Sequence, residues 1–124
     1  MTIVRKNSER LGIPVGPYTH AVVHDRTLYT SGFTAFGTEA HSGSAGAQTR
    51  AVLDQLDSLA REFGKSLADI VKVTVFAIRP DDIAEIRDVL SERYDNAVPA
   101  SSMVLVASLF APELRVEIEA IFGL

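Results

Sequence analysis

Two carboxylates near the end of the chain are the strongest candidates for chemistry. Glu117 and Glu119 alternate with apolar residues over positions 116–120, so in a strand both carboxylates project from one face, which Arg115 shares. If that face is buried, Glu117 loses solvation, its pKa rises, and it can accept and return a proton near neutral pH. The alternative is that both carboxylates form solvated or interfacial ion pairs with Arg115 and other basic groups.

The other reactive residue types do not form a metal or nucleophile motif. His20 and His24 flank a short apolar run that predicts a strand, which would place their rings about 13 Å apart, too far to share one metal. His41 stands alone in the Gly-, Ser- and Thr-rich loop 34–43. The chain has no cysteine, which excludes thiolate ligands and cysteine nucleophiles. Neither a G-x-S-x-G elbow nor a phosphate-binding glycine fingerprint occurs.

Length and charge favour one soluble domain, residues 1–124. The chain has 124 residues, 47% of them hydrophobic, and a net charge of −4, which is typical of a globular domain. No basic cluster exceeds Arg5-Lys6, which argues against a nucleic-acid partner. The N-terminus lacks a signal-peptide pattern, and no 18-residue apolar stretch could span a membrane. We therefore expect a cytoplasmic protein that does not contact membranes.

Hydrophobic periodicity predicts the elements that must position Glu117. Ser44 caps a helix over 44–63, Gly64 follows its end, and a second helix starts after Pro80-Asp81-Asp82. Strands are predicted at 21–23, 27–30, 69–78, 102–109 and 115–122, with a tight turn at Asp25-Arg26. An additional short strand before Gly12 is possible. The apolar helix stripes comprise Gln48, Val52, Leu56, Leu59 and Phe63 in the first helix, and Ile83, Ile86, Leu90 and Tyr94 in the second.

The strands at 69–78 and 103–107 are apolar on both sides. In the former, Val71, Val73, Val75 and Ala77 alternate with Ile70, Thr74, Phe76 and Ile78. A sheet that is apolar on both faces needs cover on both, and two short helices can cover only one layer. A second copy of the chain is the economical cover, which predicts a homo-oligomer. The alternative is that the two helices lie on opposite faces.

Several short motifs, in order, cover most of the chain from Asn7 to Phe122. They are residues 16–22 (GPYTHAV), 28–32 (LYTSG), Gln48-Thr49, Gly64, 69–72 (DIVK), Pro99-Ala100-x-Ser102 and 116–120 (VEIEA). In this order and spacing the chain resembles the Rid (YjgF/L-PSP endoribonuclease) family.

The resemblance implies an α+β, chorismate-mutase-like domain: a two-layer, RidA-like fold with a mixed sheet and two helices on one face. It also implies a homotrimer with ligand clefts between neighbouring subunits. The typical activity of the family is hydrolysis of enamines and imines, such as 2-aminoacrylate, to a carbonyl product and ammonia. That reaction needs no cofactor and no metal.

The family's functional positions can be carried over where the motifs match. Tyr18 would pack against the substrate, and Ser31 would line the cleft. Glu117 would position the attacking water and move its proton, and the backbone at Met103 would hydrogen-bond the reacting nitrogen or water. The protein would then mainly supply a placed water and a proton relay.

One departure from the family pattern alters the expected substrate. Active deaminases have Arg in Pro-Ala-Arg-Ser, where it grips the substrate carboxylate, whereas this chain has Ser101. A charge-assisted bond is worth about 1.5–3 kcal/mol, so affinity for simple 2-imino acids could fall ten- to a hundredfold. Thr19-His20, Phe33 and Met103 also differ from the common residues. Together these changes suggest a less charged, more apolar pocket.

These departures leave two functions open. The chain is either an imine hydrolase with altered substrate preference or a weakly catalytic ligand-binding trimer. Arg87 lies where the family often has a pocket-facing Asn, so it could partly replace the lost anion anchor; alternatively, it is a solvated arginine that pairs with Asp88. An endoribonuclease is disfavoured by the acidic charge.

Overall fold

The computed structural model describes residues 2–124 and contains a six-stranded sheet and two α-helices. The strands are β1 (Val4–Lys6), β2 (Ala21–His24), β3 (Thr27–Thr30), β4 (Ile70–Ala77), β5 (Ala100–Leu105) and β6 (Val116–Gly123). The helices are α1 (Ala45–Arg61), between β3 and β4, and α2 (Ile83–Tyr94), between β4 and β5. Short 3₁₀ turns occupy Glu9–Leu11, Leu67–Asp69 and Pro80–Asp82.

The sheet is mixed, with the strand order β1-β2-β3-β6-β4-β5. Only β4 and β5 run parallel, and the helix between them provides the crossover that parallel neighbours require. The additional strand before Gly12 is confirmed as β1. The turn predicted at Asp25-Arg26 is also confirmed, with φ of 54° and 63°, the left-handed pair that suits the twist of a two-residue hairpin.

Helix α1 confirms its predicted stripe. Val52, Leu56 and Leu59 are fully buried, and Ser44 caps the helix by accepting a hydrogen bond from the Ala47 N–H. Gly64 follows with φ of 73°, which a residue with a side chain would adopt only at a cost. The helix ends at Arg61, two residues before the predicted end.

Helix α2 starts as predicted, but Asp82 does not cap it. Its side chain makes no capping hydrogen bond. Instead, Oδ1 lies 3.6 Å from an Arg115 guanidinium nitrogen, because the start of α2 packs beside the start of β6. The Arg115 charge is therefore directed at Asp82.

A register shift in β4 corrects the predicted faces of its first residues. Val71 has no partner in β6 because the pairing passes from Ile70↔Phe122 to Lys72↔Ile121. The shift turns Ile70 toward the helices, where it is 6% exposed, and leaves Val71 56% exposed. Strict alternation predicts the reverse, with Val71 on the same face as the buried Val73 and Ile70 on the other. That prediction is wrong because alternation fails where one strand carries an extra residue.

Strand β5 is shorter than the predicted 102–109 because its neighbour ends. Ala77 is the last residue of β4 and pairs with Leu105. One further hydrogen bond, from Val106 N to the Ala77 carbonyl (2.8 Å), closes the ladder, and Pro80 then turns the chain into α2.

Both helices pack on one face of the sheet, which we call the helix face. There they form a single core with side chains of all four inner strands, including Val73, Val75, Ile118 and Phe122. The opposite face, the open face, has no layer above it among residues 2–124. Register places Tyr29, Phe76, Glu117, Glu119 and Val104 on it. The helices are therefore not divided between the faces.

Candidate active site

A cleft of about 440 Å³ contains Glu117. One side is formed by the segment from Leu11 to Tyr18, and the other by residues 31–36 together with Gln55 and Phe110. Glu117 reaches this space from the start of β6. The predicted residues Tyr18, Ser31 and Phe33 also line it, so four of the seven predicted site residues meet in one cleft of one subunit.

Glu117 packs directly on the backbone of Gly32. A Cβ built at Gly32 would clash with Glu117 Oε2 and lie 2.8 Å from Cδ, so a larger residue there would push the carboxylate out of this position. The neighbouring Phe33 fixes this approach by exchanging two backbone hydrogen bonds with Ile118, 2.9 Å and 3.0 Å long. The Ser31-Gly32-Phe33 segment therefore holds Glu117 in place through its shape.

The Glu117 carboxyl has a raised pKa. Partial burial is the larger cause, and repulsion from the Glu119 carboxylate on the same face adds to it. Among residues 2–124, Glu117 has no ion-pair partner; Arg115, the alternative partner, is paired with Asp82 instead. A carboxyl with these surroundings exchanges protons closer to neutral pH than an ordinary glutamate.

Ser31 connects the two sides of the cleft. Its hydroxyl donates to the Thr19 carbonyl (2.6 Å), and its backbone N–H donates to the His20 carbonyl (2.9 Å). These bonds hold Tyr18, which is 44% exposed, at the side of the cleft. The Ser31 oxygen retains its lone pairs for a ligand.

His20 fastens the N-terminal side of the cleft. Its ring Nδ1 accepts a hydrogen bond from the Ser8 backbone N–H (3.0 Å), and its backbone N–H donates to Asn7 Oδ1 (2.9 Å). The ring is buried and meets Phe33 edge to face, with centroids 5.9 Å apart. Burial lowers the His20 pKa against an opposing effect of Glu62. Because Nδ1 accepts the Ser8 hydrogen bond, the neutral imidazole carries its proton on Nε2, and His20 is one of the residues that line the cleft.

The other three predicted residues do not line this cleft. Ser101 lies exposed on the edge strand β5, Met103 packs partly against the core, and Arg87 is exposed on α2. Their predicted roles toward a ligand require a different subunit to present them.

Sequence reasoning missed several residues that line the cleft: His20, Gln55, Phe36, Phe110 and the segment 11–17. The sequence predicts that Thr19-His20 alters the pocket but assigns His20 no contact of its own there, and Gln55 lies outside the apolar stripe of α1. Phe36 and Phe110 are large apolar residues inside predicted loops, which is a signal in itself, because loops that only connect elements rarely need them.

Comparison with known proteins agrees with this fold. The family model for endoribonuclease L-PSP matches residues 9–122. A RutC family protein of Pyrococcus abyssi is 31% identical over 117 residues, covering 92% of this chain and 91% of the relative. A 2-iminobutanoate/2-iminopropanoate deaminase of Dermatophagoides farinae is 32% identical over 111 residues, covering 87% of each. The solved structure of yeast Mmf1 superposes with a TM-score of 0.88 at 28% identity over 98% of each chain.

The fold and the cleft define a small α+β domain with a shielded carboxylate at the floor of an apolar cleft. The chain belongs to the Rid (YjgF/L-PSP) family, which confirms the resemblance seen in its motifs. Within residues 2–124 no helix is both long and apolar enough to cross a membrane.

Proposed function

We propose that this protein is an enamine/imine deaminase that hydrolyses reactive imines to a carbonyl product and ammonia, with an altered substrate preference. The observation that carries the proposal is Glu117: a carboxyl group with a raised pKa, held against Gly32 and facing a cleft large enough for a small molecule. Relatives named as 2-iminobutanoate/2-iminopropanoate deaminases support the same chemistry.

In the proposed reaction, an enamine first tautomerises to the imine, and a water molecule lies between Glu117 and the imine carbon. The carboxylate accepts a proton as the water oxygen bonds to that carbon. The C=N π electrons move to nitrogen as the water adds, and the proton then passes from the carboxyl to that nitrogen. The C–N bond breaks with its electron pair going to nitrogen, and ammonia leaves. The hydroxyl proton returns to the carboxylate as the C=O bond of the product forms. Placement and proton transfer suffice because a protonated imine carbon is already electrophilic.

We also propose that the active form is a homotrimer with clefts at its subunit boundaries. The open face supports this, because Tyr29, Val104 and Leu105 are each more than 40% exposed there or on the edge strand beside it. Large apolar side chains that are exposed on a face without a covering layer are typical of an interface. A neighbour's β5 could then bring Ser101 and Met103 to the cleft, whereas Arg87 lies exposed on α2, in the helical layer away from the open face.

A ligand-binding trimer without appreciable catalysis is the second candidate. It is favoured by one observation: no Lys or Arg from residues 2–124 lines the cleft, so this subunit offers no cation to a 2-imino acid. The same absence, with a net charge of −4, disfavours RNA as a substrate.

The test is the rate at which the protein removes imines. Amino-acid oxidase generates imines in situ, semicarbazide traps what remains, and acceleration of imine loss reports hydrolysis. Glu117→Gln should lower the accelerated rate by roughly 10²–10⁴-fold, the usual contribution of a general acid–base group. Glu119→Gln is the matched control, since it makes the same change two residues away outside the cleft, and should keep most of the activity at pH 7.

Stability measurements separate loss of chemistry from loss of fold. A carboxyl whose pKa is raised in the folded chain binds its proton more tightly there than in the unfolded chain, so its ionisation lowers stability above that pKa. Glu117→Gln should therefore unfold at pH 7 with a free energy no lower than that of the wild type. An active Glu117→Gln variant would contradict the deaminase proposal, and no acceleration by the wild type with any imine would favour the ligand-binding trimer.

A further inference from the structure

The mouth of the Glu117 cleft is an apolar surface. Ile13, Val15, Tyr18, Phe36 and Phe110 all line it, with exposures from 43% for Phe36 to 91% for Ile13. They make up five of the twelve large apolar side chains that are exposed in the described chain. Such a concentration around one cavity fits a ligand with a sizeable apolar part.

Two of these residues form an aromatic corner. The rings of Phe36 and Phe110 meet edge to face, with centroids 4.9 Å apart and planes at 84°. Phe36 also contacts the His41 ring at 5.2 Å, which supports it from the loop side. A ring-sized group of a ligand would find both a face and an edge to pack against.

The polar side chains of the cleft mostly offer acceptors. The Ser31 hydroxyl hydrogen is given to the Thr19 carbonyl. The Gln55 amide nitrogen donates to the Thr34 carbonyl (2.8 Å), which leaves the amide oxygen for a ligand. Glu117 offers carboxylate oxygens. These groups suit a ligand that brings N–H donors, as a protonated imine does.

A carboxylate on the ligand would find no cationic partner in this subunit. No Lys or Arg of the described residues lines the cleft. His20 is held neutral because its Nδ1 accepts a hydrogen bond from Ser8. The ligand carboxylate would also share the cleft with Glu117, and like charges in a partly desolvated site repel each other.

We propose, building on the deaminase function above, that the preferred substrates are imines whose carbon carries a ring-sized apolar group and no carboxylate, bound as the protonated iminium. The iminium N–H groups would donate to Glu117 and its acceptor neighbours, and the apolar group would lie against Phe36 and Phe110. The balanced reaction is R–CH=NH₂⁺ + H₂O → R–CHO + NH₄⁺, with no oxidant or reductant.

Four imines test the two parts of this proposal separately. A flavin amine oxidase produces imines from phenylethylamine and propylamine, and an amino-acid oxidase produces them from phenylalanine and 2-aminobutanoate. The second pair differs from the first only by a carboxylate, and catalase removes the peroxide. Semicarbazide trapping then gives kcat/KM for each imine with the full-length, assembled wild-type protein.

We expect kcat/KM for the phenylethylamine imine to be about tenfold or more above that for the phenylalanine imine. We expect the same margin over the propylamine imine. If the 2-aminobutanoate imine is the best substrate, the substrate-class proposal is wrong while the deaminase function stands, and a neighbouring subunit must supply a cation. Equal rates for phenylethylamine and phenylalanine imines would overturn the carboxylate part. If none of the four is hydrolysed, the proposed function itself fails.

The aromatic corner has its own test. Phe110→Ala should reduce the preference for the phenylethylamine imine over the propylamine imine by about tenfold. The phenyl ring of the substrate would lose the aromatic and apolar contacts that Phe110 provides. Ile3→Ala is the control, since Ile3 is a similarly exposed apolar residue outside the cleft and should leave the preference unchanged. An unchanged preference in Phe110→Ala would overturn the assignment of the corner to the substrate.

Discussion

The two faces of the sheet are built from the same strands but have different roles. On the helix face, Val116, Ile118 and Ala120 of β6 alternate into a core that α1 and α2 close completely. On the open face, Glu117 and Glu119 of the same strand stand beside Phe76 and Thr74, without a layer above them in residues 2–124. One strand thus supplies both the stability of the domain and the group that can do chemistry.

The difference shows how a small domain can carry a partly desolvated carboxylate. The central strands need no help from outside on the helix face, since Val73, Val75 and Ile118 are fully buried there. The open face mixes apolar and charged groups, a combination that is neither a good core nor an ordinary solvated surface. Such a face is suited to being completed by another subunit, with reactive groups left at the boundary.

The largest expected effect comes from placing a charge on the open face. Val104 is 42% exposed and pairs in register with Phe76. If this face is an interface, Val104→Asp buries an unpaired carboxylate in every subunit, at several kcal/mol each, and the trimer should dissociate. Sedimentation should then report the 13.4 kDa chain in place of a particle about three times heavier.

Ala84→Asp provides the control for that experiment, because Ala84 is exposed on α2 in the helical layer. It should leave the assembly intact. A Val104→Asp protein that sediments like the wild type would exclude this part of the open face from the interface, and a wild-type protein of single-chain mass would exclude the trimer.

A substitution in the core of the helix face should lower the free energy of unfolding. Leu56 is fully buried between α1 and the sheet, so Leu56→Ala removes apolar contacts and leaves a cavity, which costs about 2–5 kcal/mol. Denaturant unfolding at one fixed protein concentration measures this, since assembly contributes to apparent stability. The subunit mass should stay that of the wild type; a loss under 1 kcal/mol would mean that the core collapses around the gap.

Most of the helix face could be predicted from the sequence, because it depends on local patterns. The stripe of Val52, Leu56 and Leu59 and the cap at Ser44 follow from helical spacing and end chemistry, and the structure has them as expected. The exchange of Ile70 and Val71 could not be predicted, because a register shift depends on how β4 meets a strand almost fifty residues later.

In the candidate site, too, some residues could be predicted from the sequence and others could not. Glu117, Ser31 and Tyr18 could be named from motifs. Alternation in β6 predicted a raised Glu117 pKa only if that face is buried, and the structure has the raised pKa within one subunit. The aromatic corner and the His20 contact with Ser8 were missed because they join segments that are far apart in sequence. Ser101, Met103 and Arg87 remain predictions, since their roles depend on a second copy of the chain.

The close contact between Gly32 and Glu117 predicts a smaller effect, confined to chemistry. Gly32→Ala should lower the imine hydrolysis rate about a hundredfold. The new methyl group would clash with the Glu117 carboxylate and displace it, and a small misplacement of a reacting group is costly. Gly123→Ala is the control: its Cβ would meet only a Val71 methyl group at 3.7 Å. A fully active Gly32→Ala enzyme would show that Glu117 needs no fixed position.

The smallest expected effect is on the pH profile. If Glu117 acts as a base, activity is lost as pH falls through its pKa, so the raised pKa places the acid limb above that of an ordinary glutamate. Glu119→Gln removes the repulsion that forms the second cause of the shift, so the limb should move to lower pH. It should not reach the ordinary value, because burial, the larger cause, remains. The measurement is kcat/KM against pH for both proteins, and a limb that stays in place would mean that Glu119 is solvated too well to influence its neighbour.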